Sequence, residues 1–162
     1  MLENCKTIKE RWGGVSKILD KWLQQRQELI VEFCTITGVH DSSAMNQTDT
    51  TEALRHFCEL MVDYISAGHF EVYDHLIQEA EEFNDGKGLE VARKLYPQVS
   101  QTTEVALAFN DSFDHALNSD NSCPTLARDL SKLGETLVSR FDLEDQLIES
   151  LHYAHSDLIA NV

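Results

Sequence analysis

Residues 126–151 read LARDLSKLGETLVSRFDLEDQLIESL, and the spacing of their leucines decides the fold class. Apolar residues recur here at steps of three and four, which is the period of one face of an α-helix. The leucines of this face are Leu126, Leu130, Leu133, Leu137, Leu147 and Leu151. We predict one long helix from about Pro124 to Ile159, with Ser122 as its cap and Pro124 in its first turn. Such a helix must bury its leucine face against other helices.

The first of these partner helices is predicted at residues 15–36, where apolar residues again recur at helical spacing. Gly38 is placed to end this helix, because glycine readily adopts the left-handed conformation of a helix C-terminus. Polar residues dominate the next stretch, so we predict a loop over residues 38–50.

The second predicted helix begins at Thr50 or Thr51, either of which can cap it. Its apolar pattern is interrupted at residues 66–68, which read Ser-Ala-Gly, and resumes from Phe70 to Phe83. This interruption leaves two structures open: one kinked helix, or two helices that meet there.

Two further helices are predicted before the leucine-rich one. Residues 84–88 read NDGKG and are typical of a turn. A short helix, Leu89–Tyr96, is predicted to stop at Pro97, which begins another helix that reaches about Leu117. Residues 118–122 are predicted to form a loop. We find no β-strand pattern and no repeat, so we predict an all-α fold: a helical bundle of about four long helices plus short helices, in one domain over residues 1–162.

The charge of the chain limits its partners. Of 162 residues, 28 are Asp or Glu and 13 are Lys or Arg, which gives a formal net charge of −15. Direct binding to nucleic acid or to an anionic membrane surface is disfavoured, because both need Lys and Arg. A basic protein partner is attracted by such a surface, although the same charge also serves solubility alone.

The compartment is inferred from the cysteines and the N-terminal residues. The chain has Cys5, Cys34, Cys58 and Cys123, which form no Cys-x-x-Cys pair and are typical of free thiols in a reducing compartment. The N-terminus lacks the apolar core of a signal peptide, and no run approaches eighteen apolar residues. We therefore expect a cytoplasmic protein that does not associate with a membrane.

Two charges interrupt the leucine face of residues 126–151. The rhythm of Leu133 and Leu137 continues to Arg140 and Glu144, where apolar residues are expected. One interpretation is a buried polar cluster, which needs partners from another helix. The other is a rotated helix, in which the apolar residues at 141 and 148 face inward and both charges lie in water.

The candidate partners of these charges lie at the interruption of the second helix. His69 borders the inner face of its helix, because it precedes the apolar residues Val72 and Tyr73 by three and four positions. Asp63 comes directly before the interruption. We predict a polar cluster of four residues: Asp63, His69, Arg140 and Glu144.

Catalytic motifs for nucleotide binding, hydrolysis or metalloprotease chemistry are absent from the sequence. We predict a protein that is not an enzyme, with no catalytic residue, no cofactor and no metal. Glu149 and His152 form one Glu-x-x-His pair of the kind that di-iron bundles use twice. A metal-binding helical bundle is therefore kept as an alternative, although the second pair is missing.

Three segments of the chain resemble one known family. Residues 19–23 read LDKWL, residues 62–70 read VDYISAGHF and residues 140–148 read RFDLEDQLI. In this order they resemble motifs of the Rsd/AlgQ family, the regulators of sigma D, and the middle motif is the most specific. The sequence is closer to the pseudomonad AlgQ branch than to the enteric Rsd branch, and it departs most at residues 38–50 and 118–123.

The resemblance implies an all-helical anti-sigma factor of bacterial transcription. Its implied partner is the housekeeping, sigma-70-type factor of RNA polymerase, bound through the C-terminal domain that reads the −35 promoter element. Sequestering that factor favours alternative sigma factors, and in the AlgQ branch it implies alginate regulation. Some members are linked to the phosphocarrier HPr, so an adaptor for a phosphocarrier or a stringent-response protein is a second alternative.

The predicted partner-binding residues lie on the first helix and in the most specific motif. Asp20 is an acidic residue on an otherwise basic helix, beside Trp22, which we assign to the core. Asp63 and Phe70 lie in the motif at residues 62–70. We predict that Asp20, Asp63 and Phe70 contact the partner, the acids by charge and Phe70 as an apolar anchor.

Overall fold

The computed structural model describes residues 8–41, 47–118 and 125–160, and every secondary-structure element in these ranges is helical. The elements are α1 (Ile8–Asp41), α2 (Gln47–Ala67), a π-helical segment (Gly68–Val72), α3 (Tyr73–Glu82), α4 (Gly86–Asn118), α5 (Leu126–Leu151), a 3₁₀ turn (Tyr153–His155) and α6 (Ser156–Ala160). The predicted all-α class is confirmed. Cys5, Cys123, Ser122 and Pro124 lie outside the described residues.

The long helices pack side by side around one continuous core. α4 packs against α5 and α1 against α2, while α3 contacts both α4 and α5. Large apolar side chains at its centre include Leu19, Trp22, Leu29, Ile36, Phe57, Met61, Leu76, Leu133 and Leu151. Each such burial stabilises the fold by about 1.5–3 kcal/mol, so packing outweighs local helix propensity. Among the described helices, none is both long enough and apolar enough to cross a bilayer.

The first two helices are longer than predicted. α1 continues through Gly38 to Asp41, and α2 begins at Gln47, so the predicted loop over residues 38–50 is wrong at both ends. Glycine inside a helix costs only about 1 kcal/mol relative to alanine, which the packing of a long helix outweighs. Residues 42–46 of the predicted loop lie outside the described residues.

The predicted break at Pro97 is also wrong. α4 runs without interruption from Gly86 to Asn118, and Pro97 lies inside it. A proline in a helix interior costs about 3 kcal/mol, because it removes one hydrogen bond and crowds the preceding turn. Leu95 and Val99, on either side of Pro97, are buried in the same core, and this shared packing favours one continuous helix.

The last helix ends earlier than predicted. α5 stops at Leu151 rather than near Ile159, because the backbone of His152 leaves the helical conformation (φ −127°, ψ −58°). The chain then continues through the 3₁₀ turn into α6. The side chains of His152 and His155 both bond to Glu79 of α3, and these contacts fix the new direction of the chain.

The interruption at residues 66–68 is a change of helix type, not a break. The chain stays helical from α2 through the π-helical segment into α3. A Cβ added to Gly68 would lie 3.0 Å from the Tyr73 hydroxyl oxygen and 3.1 Å from Cζ2 of Trp22. A glycine at this position therefore lets α1 approach the π-helical segment closely.

We expect Gly68→Ala to lower the free energy of unfolding by about 1–3 kcal/mol, because the added methyl group overpacks the contact with Trp22 and Tyr73. The measurement is denaturant unfolding followed by circular dichroism. Gly14→Ala is the matched control: Gly14 also lies inside a helix, but nothing stands within 4 Å of its added Cβ. That control should gain about 0.5–1 kcal/mol. Equal effects of the two variants would contradict the close approach at Gly68.

Candidate functional site

A buried carboxylate lies where α1, α2, α3 and α5 meet. Glu144 is 0% exposed. Its Oε1 accepts hydrogen bonds from Arg140 Nε at 2.8 Å and from the Tyr73 hydroxyl at 2.7 Å. Its Oε2 accepts hydrogen bonds from the Tyr64 hydroxyl and from Arg26 Nη2, the latter at 3.1 Å. We call these five residues the Glu144 cluster.

Each tyrosine of the Glu144 cluster joins an arginine to the carboxylate. The Tyr73 hydroxyl accepts a hydrogen bond from Arg140 Nη2 at 3.0 Å, and it donates its own proton to Glu144. The Tyr64 hydroxyl does the same between Arg26 Nε, at 3.0 Å, and Glu144. Burial and the charge of Glu144 raise the pKa of both phenols well above their ordinary value. Both therefore stay protonated and remain donors.

A chain of hydrogen bonds connects Arg140 to the protein surface. Its Nη1 donates to Thr102 Oγ1 at 3.1 Å and to Thr103 Oγ1 at 2.6 Å. Thr103 Oγ1 lies 2.7 Å from His69 Nε2, and His69 Nδ1 lies 3.4 Å from the Tyr96 hydroxyl. Burial, helped by the positive charge of Arg140, lowers the pKa of His69, so the ring is neutral at physiological pH.

Three of the four residues predicted as a polar cluster are brought together. Arg140 and Glu144 form a direct pair, and His69 reaches Arg140 through Thr103. The interpretation with both charges in water is wrong, because Arg140 and Glu144 are each 0% exposed.

Asp63 does not belong to this cluster, so that assignment is wrong. The next residue, Tyr64, faces the core, and successive residues of a helix are turned by about 100° from one another. Asp63 is therefore exposed.

Sequence reasoning also missed Arg26, Tyr64 and Tyr73. For Arg26 a signal was present: it stands four residues after Trp22 and three before Leu29, which places a charge on an apolar helix face.

A second buried polar group lies where α3, the end of α5 and α1 meet. Glu79 is 4% exposed; its Oε1 lies 2.8 Å from His152 Nδ1 and its Oε2 lies 3.0 Å from His155 Nδ1. The other nitrogen of His155, Nε2, lies 2.8 Å from Asp85 Oδ2. The other nitrogen of His152, Nε2, lies 2.8 Å from Ser16 Oγ. We call these five residues the Glu79 cluster.

The Glu79 cluster contains the order serine, histidine, carboxylate that hydrolases use, but its surroundings do not fit that chemistry. Ser16 lies inside α1, where the backbone amides are bonded within the helix and are not free to form an oxyanion hole. Trp12 stacks on the His152 ring at a centroid distance of 4.5 Å and donates its indole N–H to the His152 carbonyl at 3.3 Å. These contacts hold α1, α3 and the residues that follow α5 together.

The pair on which the metal alternative depends is not formed. Glu149 is exposed, whereas His152 is turned inward with both ring nitrogens engaged by Glu79 and Ser16. Across residues 8–41, 47–118 and 125–160, no group of three His, Cys, Asp or Glu is placed to hold a metal ion.

The motif at residues 62–70 contains an exposed aromatic side chain and a residue that lines an acidic recess. The side chain of Phe70, on the π-helical segment, is 83% exposed. About two helical turns earlier, Asp63 lines a recess of about 540 Å³ between α2 and α4. The other lining residues are Arg55, Cys58, Glu59, Val62, Asn110, Phe113 and Asp114. Burial, together with the charges of Asp114 and Glu59, raises the pKa of the Cys58 thiol to about 12.

Asp20 is exposed on α1 but does not join this face. Trp22 faces Gly68 of the π-helical segment, and Asp20 stands two residues earlier. Two residues turn a helix by about 200°, so Asp20 points away from the π-helical segment. Asp63 and Phe70 therefore lie about two turns apart on one continuous helical stretch, whereas Asp20 lies on α1.

The comparisons with known proteins agree on one family. The family model described as "Regulator of RNA polymerase sigma(70) subunit, Rsd/AlgQ" matches residues 1–152. The Regulator of sigma D of Yersinia enterocolitica is 36% identical over 149 residues, which cover 92% of this chain and 89% of that protein. The Regulator of sigma D of Enterobacter sp. (strain 638) is 37% identical over 149 residues, which cover 91% and 88%. The resemblance carried by residues 62–70 is confirmed at the family level, while the AlgQ-branch assignment stays a prediction.

We expect Arg140→Ala to lower the free energy of unfolding by roughly 3–5 kcal/mol, because it removes one of the two arginines that pair with the buried Glu144 charge. Urea unfolding followed by circular dichroism measures this loss. Arg128→Ala is the matched control, since the Arg128 side chain is 79% exposed and its loss should change stability by no more than about 0.5 kcal/mol. Similar losses in both variants would show that the Glu144 cluster does not hold the bundle together.

Proposed function

The chain belongs to the Rsd/AlgQ family of regulators of the RNA polymerase sigma(70) subunit, and we propose that it binds and sequesters the housekeeping sigma factor through the C-terminal domain that reads the −35 element. Sequestration lowers the amount of free housekeeping sigma and so favours alternative sigma factors. In this proposal the protein acts in the cytoplasm, where RNA polymerase works, and acts by binding and not by catalysis.

One observation carries the proposal: the most specific family motif exposes a large aromatic side chain about two helical turns from an acid that lines a recess. Phe70 is 83% exposed and Asp63 lines the recess. Interfaces draw most of their binding energy from a few aromatic anchors that polar residues surround. Phe70 supplies such an anchor, and Asp63 with its acidic neighbours supplies the polar surroundings.

The charge of the recess fits a promoter-reading domain. Its lining includes three acids, Glu59, Asp63 and Asp114, and one base, Arg55. A domain that reads promoter DNA carries Lys and Arg for the phosphates. The recess therefore complements the surface that the sigma domain uses for DNA, and the net charge of −15 steers that domain toward this protein.

The contact face is also held rigid from beneath. His69, directly before Phe70, is fixed through Thr103 to the buried guanidinium of Arg140. Trp22 packs against the same segment at Gly68. A face that is ordered before binding loses little conformational freedom in the complex, which favours affinity.

The purified protein and the purified C-terminal domain of housekeeping sigma should form a one-to-one complex at micromolar concentration. Its association rate should fall as salt rises, because ions screen the attraction between an acidic and a basic surface. Stopped-flow mixing at several salt concentrations, with calorimetry for the stoichiometry, measures both quantities. If no complex forms at low salt, the proposed function is wrong.

We expect Phe70→Ala and Asp63→Lys each to weaken the complex by about tenfold or more, through loss of an anchor and reversal of a local charge. Titration calorimetry at equal folded fraction is the measurement. Glu81→Lys, an exposed acid on α3, is the control for charge. Val31→Ala, a side chain 56% exposed on α1, is the control for apolar area.

These controls separate a local face from a general charge effect. If Glu81→Lys weakens binding as much as Asp63→Lys, net charge alone governs the complex and the localised face is abandoned. An equally large loss in Asp20→Lys would extend the interface to the exposed side of α1. Pull-down from native lysate tests the adaptor alternative, which gains support if HPr or a stringent-response protein is recovered without sigma.

A further inference from the structure

The residues that follow α5 are fastened to the bundle by one histidine. We propose that His155 is a proton-dependent clasp: a ring with two protons that ties residues 152–160 to the turn between α3 and α4 and releases them when the pH rises. This clasp lies in the Glu79 cluster, and the proposal does not rest on binding to sigma.

Each ring nitrogen of His155 faces a carboxylate. Nδ1 lies 3.0 Å from Glu79 Oε2, and Nε2 lies 2.8 Å from Asp85 Oδ2. A neutral imidazole has one N–H and one lone pair, whereas an ionised carboxylate only accepts. Both contacts can be hydrogen bonds to ionised carboxylates only when the ring carries two protons. The ring is 2% exposed and stacks on Phe83 at a centroid distance of 4.5 Å, so water does not replace these partners.

The two acids do not supply the second proton. Asp85 Oδ1 accepts the Gly88 amide at 2.9 Å, and this bond, with the contact to His155, lowers the pKa of Asp85. Asp85 is therefore ionised. Both oxygens of Glu79 face histidine Nδ1 atoms. Carboxylates are ordinarily weaker bases than imidazoles, by about two pH units, so the shared proton resides on the histidine ring.

The other groups around the clasp leave this assignment unchanged. From α1, Ser16 bonds His152 Nε2, and Arg11 pairs at 2.6 Å with Glu82 of α3 in a partly exposed ion pair. From α4, Gly88 gives its amide to Asp85. Among the contacts described, no lysine or arginine side chain bonds Glu79 or Asp85, although Glu10, Arg11 and His75 line the same recess as Glu79. The basic groups bonded to the two acids are histidine rings.

Loss of the proton turns one of the two attractive contacts into a repulsion, because a ring lone pair then faces a carboxylate. The clasp helps to keep α6 packed against the bundle, where Ile159 is only 9% exposed. In the unfolded chain an ordinary histidine is mostly neutral above about pH 6.5. The folded cluster therefore holds a proton that the unfolded chain lacks, and stability falls as the pH rises.

The experiment combines ring NMR and amide hydrogen exchange on the full chain. Histidine labelled with ¹⁵N should show both His155 ring nitrogens protonated at about pH 7. The protection of amides 152–160, corrected for intrinsic exchange, should fall by up to about tenfold per pH unit above about pH 6.5, until the folded ring also loses its proton. In His155→Gln this dependence should disappear. His56→Gln, an exposed histidine on α2, should leave it unchanged.

A neutral His155 ring at about pH 7 would overturn the clasp, as would an unchanged pH dependence in His155→Gln. If that variant does not fold, the ring NMR of the unmodified protein decides the question together with Asp85→Asn. An asparagine at position 85 still caps α4 but removes one of the two charges. The ring should then lose its second proton at a lower pH than in the unmodified protein, and an unaltered titration would contradict the proposal.

Discussion

The carboxylate of Glu144 sets how the helices of this protein fit together. It is fully buried and accepts one hydrogen bond from each of α1, α2, α3 and its own helix α5. A buried ionised group is costly unless it is fully hydrogen-bonded, so sliding any one helix would remove a hydrogen bond that the buried carboxylate needs. Among the described residues, no buried side-chain nitrogen or oxygen lacks a partner. We infer that the Glu144 cluster specifies the register of the helices more than it adds stability.

The same constraint accounts for the π-helical segment and, through it, for the exposed face. Tyr64 and Tyr73 are nine residues apart, which is two and a half turns of an α-helix, so a regular helix would point them in opposite directions. The wider turns of the π-helical segment between them remove part of this rotation, and both hydroxyls reach Glu144. Phe70 lies on this segment and is turned outward. The candidate anchor for sigma is thus placed by the geometry of the core.

The sequence predicted those features that each helix shows by itself. The leucines of residues 126–151 indicate a helix face without knowledge of its partner, and charges within that face drew attention to Arg140 and Glu144. The predictions that were wrong concern features that depend on contacts between helices. Pro97 stays helical because the core on both sides favours it, and Asp63 turns outward because the adjacent position faces the core. The π turn could not be predicted, because a pattern with a period of 3.6 residues assumes that the period is constant.

The two buried clusters are built from different basic side chains. The Glu144 cluster relies on arginines, which stay charged, and on phenols whose pKa values are raised, so it keeps its bonds across the physiological range. The Glu79 cluster instead contains histidines, the side-chain type that ordinarily changes charge nearest neutral pH. α1 contacts both clusters, through Ser16 and Arg26, which are about 15 Å apart along a continuous helix. α3 also connects the two sites, because it carries Glu79 and continues directly from the π-helical segment that carries Phe70. The bonds of Arg26 to Glu144 and of the Trp22 indole to the Tyr64 carbonyl hold α1 and α2 in place, so any coupling between the clasp and Phe70 runs most directly through α3.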